Sequence, residues 1–179
     1  MSNTRTRFSQ FVDFLDDRLT GPQPQLYEQT LTSLPILWKR VIPCKHLTLI
    51  HGDASFSNVL LPRDPDHDSA LLTDRQLLSV SFATMGLAHL IALFWSREHR
   101  EAMEKRLLAR YHQALIRQAV ESYDWTDCWE DHRLSVLLRV LFMPMWFWLS
   151  GSPAPLWKRS LERAMHAVED LQCLDLLGR

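Results

Sequence analysis

His51, Asp53, Asn58 and Asp74 are the residues of this chain whose types and spacing could do chemistry. His51-Gly-Asp53 is followed after four residues by Asn58. That is the spacing of a loop that transfers a phosphoryl group: the Asp takes the proton of an attacking hydroxyl and the Asn holds a divalent metal. A second carboxylate, Asp74, ends a later apolar run, where it can supply a further metal ligand. The chemistry is mostly positioning and neutralisation of phosphate charge. Mg²⁺ needs only a few oxygen ligands from protein and takes the rest from phosphates and water. Gly52 lets the backbone turn tightly ahead of Asp53. Asn is rare here, Asn3 and Asn58 being the two examples, so a chance match is uncommon; the plain alternative is an exposed polar turn between strands.

Three short apolar runs must position these residues. Leu47–Ile50, Val59–Leu61 and Ala70–Thr73 are strand-length and bounded by turn residues, with a polar loop at Arg63–Asp68. They predict a small β-patch of three strands in an otherwise helical chain. Helical spacing is visible in Phe8, Phe11, Val12, Leu15 and Leu19, with Gly21, Pro22 and Pro24 as breakers. A second helix is expected from Gln25 to Val41, interrupted near Ser33 and Pro35. Ser96 can cap a helix with Glu98 and Glu101 near its start and an apolar face of Met103, Leu107, Leu108, Tyr111, Leu115 and Ala119. Its charged side, over Arg97–Arg110, reads as a solvated face. Thr126 or Asp127 can start the next helix, which carries the run Leu134–Leu149. Pro153 and Pro155 precede a last helix facing inward with Trp157, Leu161, Met165, Val168 and Leu171, and Gly178 suits its C-terminal cap.

The fold class expected is therefore mainly α with a small β-patch. A single domain over residues 1–179 is expected, made of N-terminal helices (1–45), a catalytic-loop and metal-site patch (46–80) and a helical part (81–179). The chain has 179 residues, 46% of them hydrophobic and 23% charged, enough to bury a core. Lys and Arg number 20 against 21 Asp and Glu. No charge-driven case for nucleic acid or a membrane surface follows. Leu134–Leu149 contains Arg139 and Pro144 and falls short of the roughly 20 apolar residues of a spanning helix, so a buried, kinked helix is expected. Cys44, Cys128 and Cys173 are odd in number and scattered, and no apolar segment follows the charged N-terminus; the expected location is cytoplasmic.

HGDxxxxN followed by a strand-ending Asp resembles the aminoglycoside phosphotransferase and choline kinase-like superfamily. Leu107–His112, Tyr123–Cys128, Asp131–Arg133 and the tail from Leu161 to Leu171 are similar to its ecdysteroid-kinase-like branch. The resemblance implies a protein-kinase-like C-terminal lobe, with Asp53 as base, His51 beside it in the catalytic motif, and Asn58 and Asp74 as Mg²⁺ ligands. It further implies ATP as donor and a small-molecule hydroxyl as acceptor. Two local departures are visible. Asp74-Arg75-Gln76 stands where Asp-Trp-Gln or Asp-Phe-Glu is usual, and Gly86-Leu87-Ala88 replaces an Asp-Leu-Ala whose Asp braces the catalytic loop. A third departure is global. No two of Gly21, Gly52, Gly86, Gly151 and Gly178 lie within six positions, so no phosphate-covering loop is present, and the helical residues before Leu47 leave no room for a five-stranded lobe.

Two functions are compatible with these features. One is a phosphotransferase C-lobe that works when a nucleotide-binding lobe, on a second chain, completes it. The other is a catalytically inactive, truncated kinase-like protein acting as a binding or interaction module. Either leaves apolar surface around Leu47–Leu61 to be covered, by folded-back N-terminal helices or by a second copy in a homodimer. Cys44, His46 and His51 match no common zinc spacing. Asp64, Asp66 and Asp68 lack the rest of a calcium loop. Trp125, Trp129, Trp146 and Trp148 read as core, with an acceptor pocket as the sharper alternative.

Overall fold

The computed structural model describes residues 2–15, 23–41, 46–64 and 66–177. Two helices come first, α1 (Ser2–Leu15) and α2 (Gln23–Val41). Then follow β1 (Leu47–Ile50), a 3₁₀ turn at Phe56–Asn58, β2 (Val59–Leu60), β3 (Leu71–Leu72) and β4 (Ser79–Phe82). The rest is helical: α3 (Met85–Phe94), α4 (Arg97–Arg117), α5 (Trp125–Ser135), a π-helical turn at Val136–Val140, α6 (Met143–Leu149) and α7 (Ala154–Asp170). The fold is mainly α with a small antiparallel β-patch, as the periodicity predicts.

The patch itself differs from expectation. Four strands form two separate ladders: β1 pairs with β4 in the register Leu47↔Phe82 to Ile50↔Ser79, and β2 pairs with β3 through Val59↔Leu72 and Leu60↔Leu71. β4 escaped the sequence because its residues, Ser-Val-Ser-Phe, are half small and polar; pairing with β1 makes them a strand. Pro35 does not interrupt α2. It lies on the exposed side of the helix, where water can replace the backbone hydrogen bond it removes. Pro24 falls in the first turn of α2, where a missing N–H costs nothing. Asp124, ahead of the expected start, caps α5 by accepting from Asp127 N at 2.8 Å. Ser96 caps α4 as expected, accepting from His99 N. Leu19, Gly21, Pro22, Cys44 and Gly178 lie outside the described residues.

α3 is apolar almost all round and sits at the centre, burying Ala88, Ile91, Ala92 and Leu93 against α7, α5 and the π turn. α7 contributes Trp157, Leu161, Met165 and Val168, one stripe at helical spacing, all buried as predicted. Each such side chain contributes about 1.5–3 kcal/mol on leaving water. The run Leu134–Leu149 is divided: α5 ends, the π turn intervenes, and Pro144 opens α6. The described side chains of the N-terminal helices pack on the helical part of the chain. Phe11 packs on Trp148 and Trp157, with ring centroids 5.3 and 6.1 Å away, and Tyr27 Oη donates to Leu141 O at 3.1 Å.

The charged side of α4 is not uniformly solvated. Arg100, Glu104, Leu108 and His112, four residues apart, form its most buried stripe. Arg100 donates to Glu104 at 2.9 Å and to Asp170 of α7, and His132 of α5 meets Glu104 at 2.8 Å. Opposite charges on α4 and α7, with the His132 ring of α5 bonded to Glu104, permit this burial, which side-chain type alone does not suggest. Apolar side chains are exposed instead on the β-patch: Leu49, Leu60, Leu61, Leu71, Leu77, Leu78 and Val80. No described helix is long and apolar enough to cross a membrane.

Candidate active site

β1 ends at the buried Ile50 and delivers the chain into the His51–Asn58 loop. His51 Nε2 lies 2.7 Å from Thr73 O, so it carries the proton and donates. The ring thereby ties the start of the loop to the residue before Asp74. Gly52 turns the chain with φ +82°, and an added Cβ would lie 1.9 Å from Leu77 O. Glycine is required there twice over, by conformation and by the approach of the Asp74–Leu78 backbone. Gly52 O accepts from the Arg139 guanidinium, which reaches across from the π turn.

Asp53 is partly exposed and faces two donors. Asn58 Nδ2 donates to its backbone O at 2.9 Å and to Oδ2 at 3.1 Å. His89 Nε2, on α3, lies 3.3 Å from Oδ1. Burial lowers the His89 pKa to about 4, aided by the charge of Arg139 and opposed by Asp53, so the imidazole is neutral near pH 7. Burial also lowers the Arg139 pKa, against the attraction of Asp53. Neither His89 nor Arg139 is placed at the site by the sequence reading. Their signal was a lone His within Gly86-Leu-Ala-His-Leu-Ile-Ala-Leu and a lone Arg within Leu134–Leu149, each an ionisable group in an apolar run that must find a partner.

Asn58 is buried at the end of the 3₁₀ turn, and its backbone O accepts from Thr73 N at 2.8 Å and Thr73 Oγ1 at 3.2 Å. These contacts sit just beyond the β2–β3 ladder, and Asp74 follows directly after Thr73. Asp74 adopts the left-handed region, φ 58° and ψ 72°, which Asp tolerates better than most residues. Its side chain is exposed. Asn58 Oδ1 and the Asp74 carboxylate make no hydrogen bond among the described residues, which leaves hard oxygen donors of the kind Mg²⁺ prefers. No group of three or more His, Cys, Asp or Glu side chains suited to a metal occurs among the described residues. Such a site holds a cation only with help from phosphate oxygens and water, the usual habit of Mg²⁺.

The remaining candidates take structural places. His46 stands 3.7 Å from Asp127 and 3.5 Å from Asp131, pinning the start of β1 to α5. Asp64 caps its own exposed turn through Asp66 N and His67. Trp125 and Trp129 stack at 6.0 Å. Trp146 lines a cavity of about 450 Å³ together with Phe82, Met85, Phe142, Met143 and Arg139. Arg139 thus touches both this cavity and the catalytic loop.

No curated protein and no solved structure matches the chain significantly. A family model does match, over residues 6–122, from within α1 to just past the end of α4. The match takes in the whole His51–Asp74 constellation and ends before Tyr123, so the likeness noted in the tail lies beyond it. With the loop, the paired strands and more than half of the chain inside it, the protein belongs to the ecdysteroid kinase-like family.

Proposed function

We propose that this chain is the acceptor and metal half of a small-molecule phosphotransferase, passing a phosphoryl group from ATP to a substrate hydroxyl when a nucleotide-binding lobe completes it. The observation that carries this is the Asp53–Asn58 pair held on one loop, with Thr73, the residue before Asp74, bonded to Asn58 O. Asp53 takes the hydroxyl proton as the oxygen attacks the terminal phosphorus and the bond to the leaving ADP oxygen breaks. Asn58 Oδ1 and Asp74 would hold Mg²⁺, which neutralises phosphate charge when bound. His51 and Arg139 keep the loop in place through backbone carbonyls. The cavity lined by Arg139, which also binds Gly52 O of the catalytic loop, offers the acceptor an apolar wall.

The nucleotide-binding lobe would come from a longer form of the chain or from a second chain. The exposed side chains of the β-patch support this. Leu49 is 64% and Val80 67% exposed, directly opposite one another on β1 and β4, with Leu60, Leu61 and Leu71 open nearby. Exposed apolar side chains on both ladders are the kind of surface a partner covers. The same surface favours a second reading, a catalytically silent binding module, since a partner can cover it without any chemistry.

Reconstitution separates them. Purified chain mixed with a nucleotide-binding lobe encoded beside it should transfer phosphate from Mg-ATP to a hydroxyl acceptor, and Asp53→Ala should remove the activity. Complex formation with no transfer, and no effect of Asp53→Ala, would favour the binding module.

A further inference from the structure

We propose that His89 is a positioning residue that holds the Asp53 carboxylate in the orientation a base requires; this rests on the reading of Asp53 above.

Three observations converge on it. His89 is 3% exposed in its side chain, yet its Nε2 lies 3.3 Å from Asp53 Oδ1 while Asn58 Nδ2 holds Oδ2 at 3.1 Å. The two carboxylate oxygens therefore meet separate donors from separate elements, the loop and α3. A carboxylate with one anchored oxygen still swings about χ2, and a second donor removes that freedom. On α3, His89 is the side chain that meets this carboxylate. Gly86, one turn earlier, has no side chain, and a Cβ built there would meet only Ala54 Cβ at 3.6 Å.

The ring's own surroundings agree. Phe94 packs edge-on to it at 5.7 Å, and Phe56 packs edge-on to Phe94 at 5.9 Å. Apolar contacts thus fix the plane of the imidazole. Nδ1 is buried with no hydrogen-bond partner, so the atom that makes a polar contact is the one facing Asp53. A neutral imidazole with its proton on Nε2 donates to the carboxylate and leaves Nδ1 as a bare acceptor. Arg139, bound to Gly52 O, limits movement of the loop that carries Asp53.

Histidine-labelled full-length chain tests this by NMR at neutral pH without any turnover. The His89 Nε2 proton should be resolved, protected from exchange with water by its contact with Asp53, and should disappear into fast exchange in Asp53→Ala. A histidine that serves packing alone would give the same signal in both proteins, and that result, or a proton on Nδ1, overturns the proposal. As a second reading, the Asp53 Hα–Hβ couplings should report one rotamer in the native chain and in His89→Gln, which keeps a donor, and averaged rotamers in His89→Phe. Equal couplings in all three also overturn it. Reconstituted enzyme that is silent although these contacts are intact would count against the phosphotransferase reading and leave the positioning role standing. In active enzyme, His89→Phe should lower kcat on the order of 100-fold with KM unchanged.

Discussion

Asn58 binds Asp53 twice through one nitrogen, to the backbone oxygen at 2.9 Å and to the carboxylate at 3.1 Å. The carboxamide therefore closes the catalytic loop on itself and leaves Oδ1 for a cation. Asn58→Ala should destabilise the chain by about 1–3 kcal/mol, because the Asp53 groups lose a buried donor. Asn58→Asp should do at least as much harm near pH 7, since a second carboxylate would face the first. Urea unfolding of the two variants checks both; equal stability of Asn58→Ala and native chain would refute the closure.

Gly52 and Gly86 should respond oppositely to the same substitution. Gly52→Ala forces a Cβ into Leu77 O and a positive φ on alanine, so a loss of several kcal/mol or failure to fold is expected. Gly86→Ala fits at 3.6 Å from Ala54 and should raise stability by up to about 1 kcal/mol. Thermal melting of the pair gives the sign of each.

His89 makes stability depend on pH. Its folded pKa, about 4, lies below the ordinary value of 6.5, so the unfolded chain binds the extra proton between these values. Stability from this group is complete above pH 6.5 and falls as pH drops toward 4, by on the order of 3 kcal/mol in full. Unfolding measured at pH 7 and pH 4.5 should show a smaller drop in His89→Gln than in the native chain.

Glu104 joins Arg100 to His132 inside the helical layer. Glu104→Leu should cost about 3–5 kcal/mol, because a buried guanidinium loses one of its two carboxylate partners and His132 loses its partner on Nε2. The same change on the surface, Glu101→Leu, should move stability by less than about 0.5 kcal/mol although Glu101 also pairs with an arginine, Arg97. Denaturation midpoints of the two variants distinguish them.

Purified on its own, the chain should self-associate through the β-patch. Light scattering at micromolar concentration should give a mass above 21.0 kDa. The double substitution Leu60→Glu and Val80→Glu should return it to monomer with little change in stability, because both side chains are exposed. A native monomer would mean that this surface needs a different partner.

The sequence by itself determined the parts that depend on local order. His51, Asp53 and Asn58 lie within eight positions, so their spacing alone brings them to one loop, and Gly52 is readable because a tight turn needs it. The inward stripe of α7 and the Ser96 cap follow from helical periodicity and hydrogen-bonding habit, which operate within a few residues. Tertiary structure decided what depends on distant partners. β4 is a strand because β1 lies beside it, and Arg100 and Glu104 are buried because Asp170 and His132 meet them there. His89 reaches Asp53 from 36 positions away, and Arg139 reaches Gly52 from 87. Neither has a local reason to be polar. Each is explained only when packing sets an ionisable side chain, alone in an apolar run, against the one loop whose charge and carbonyls can use it.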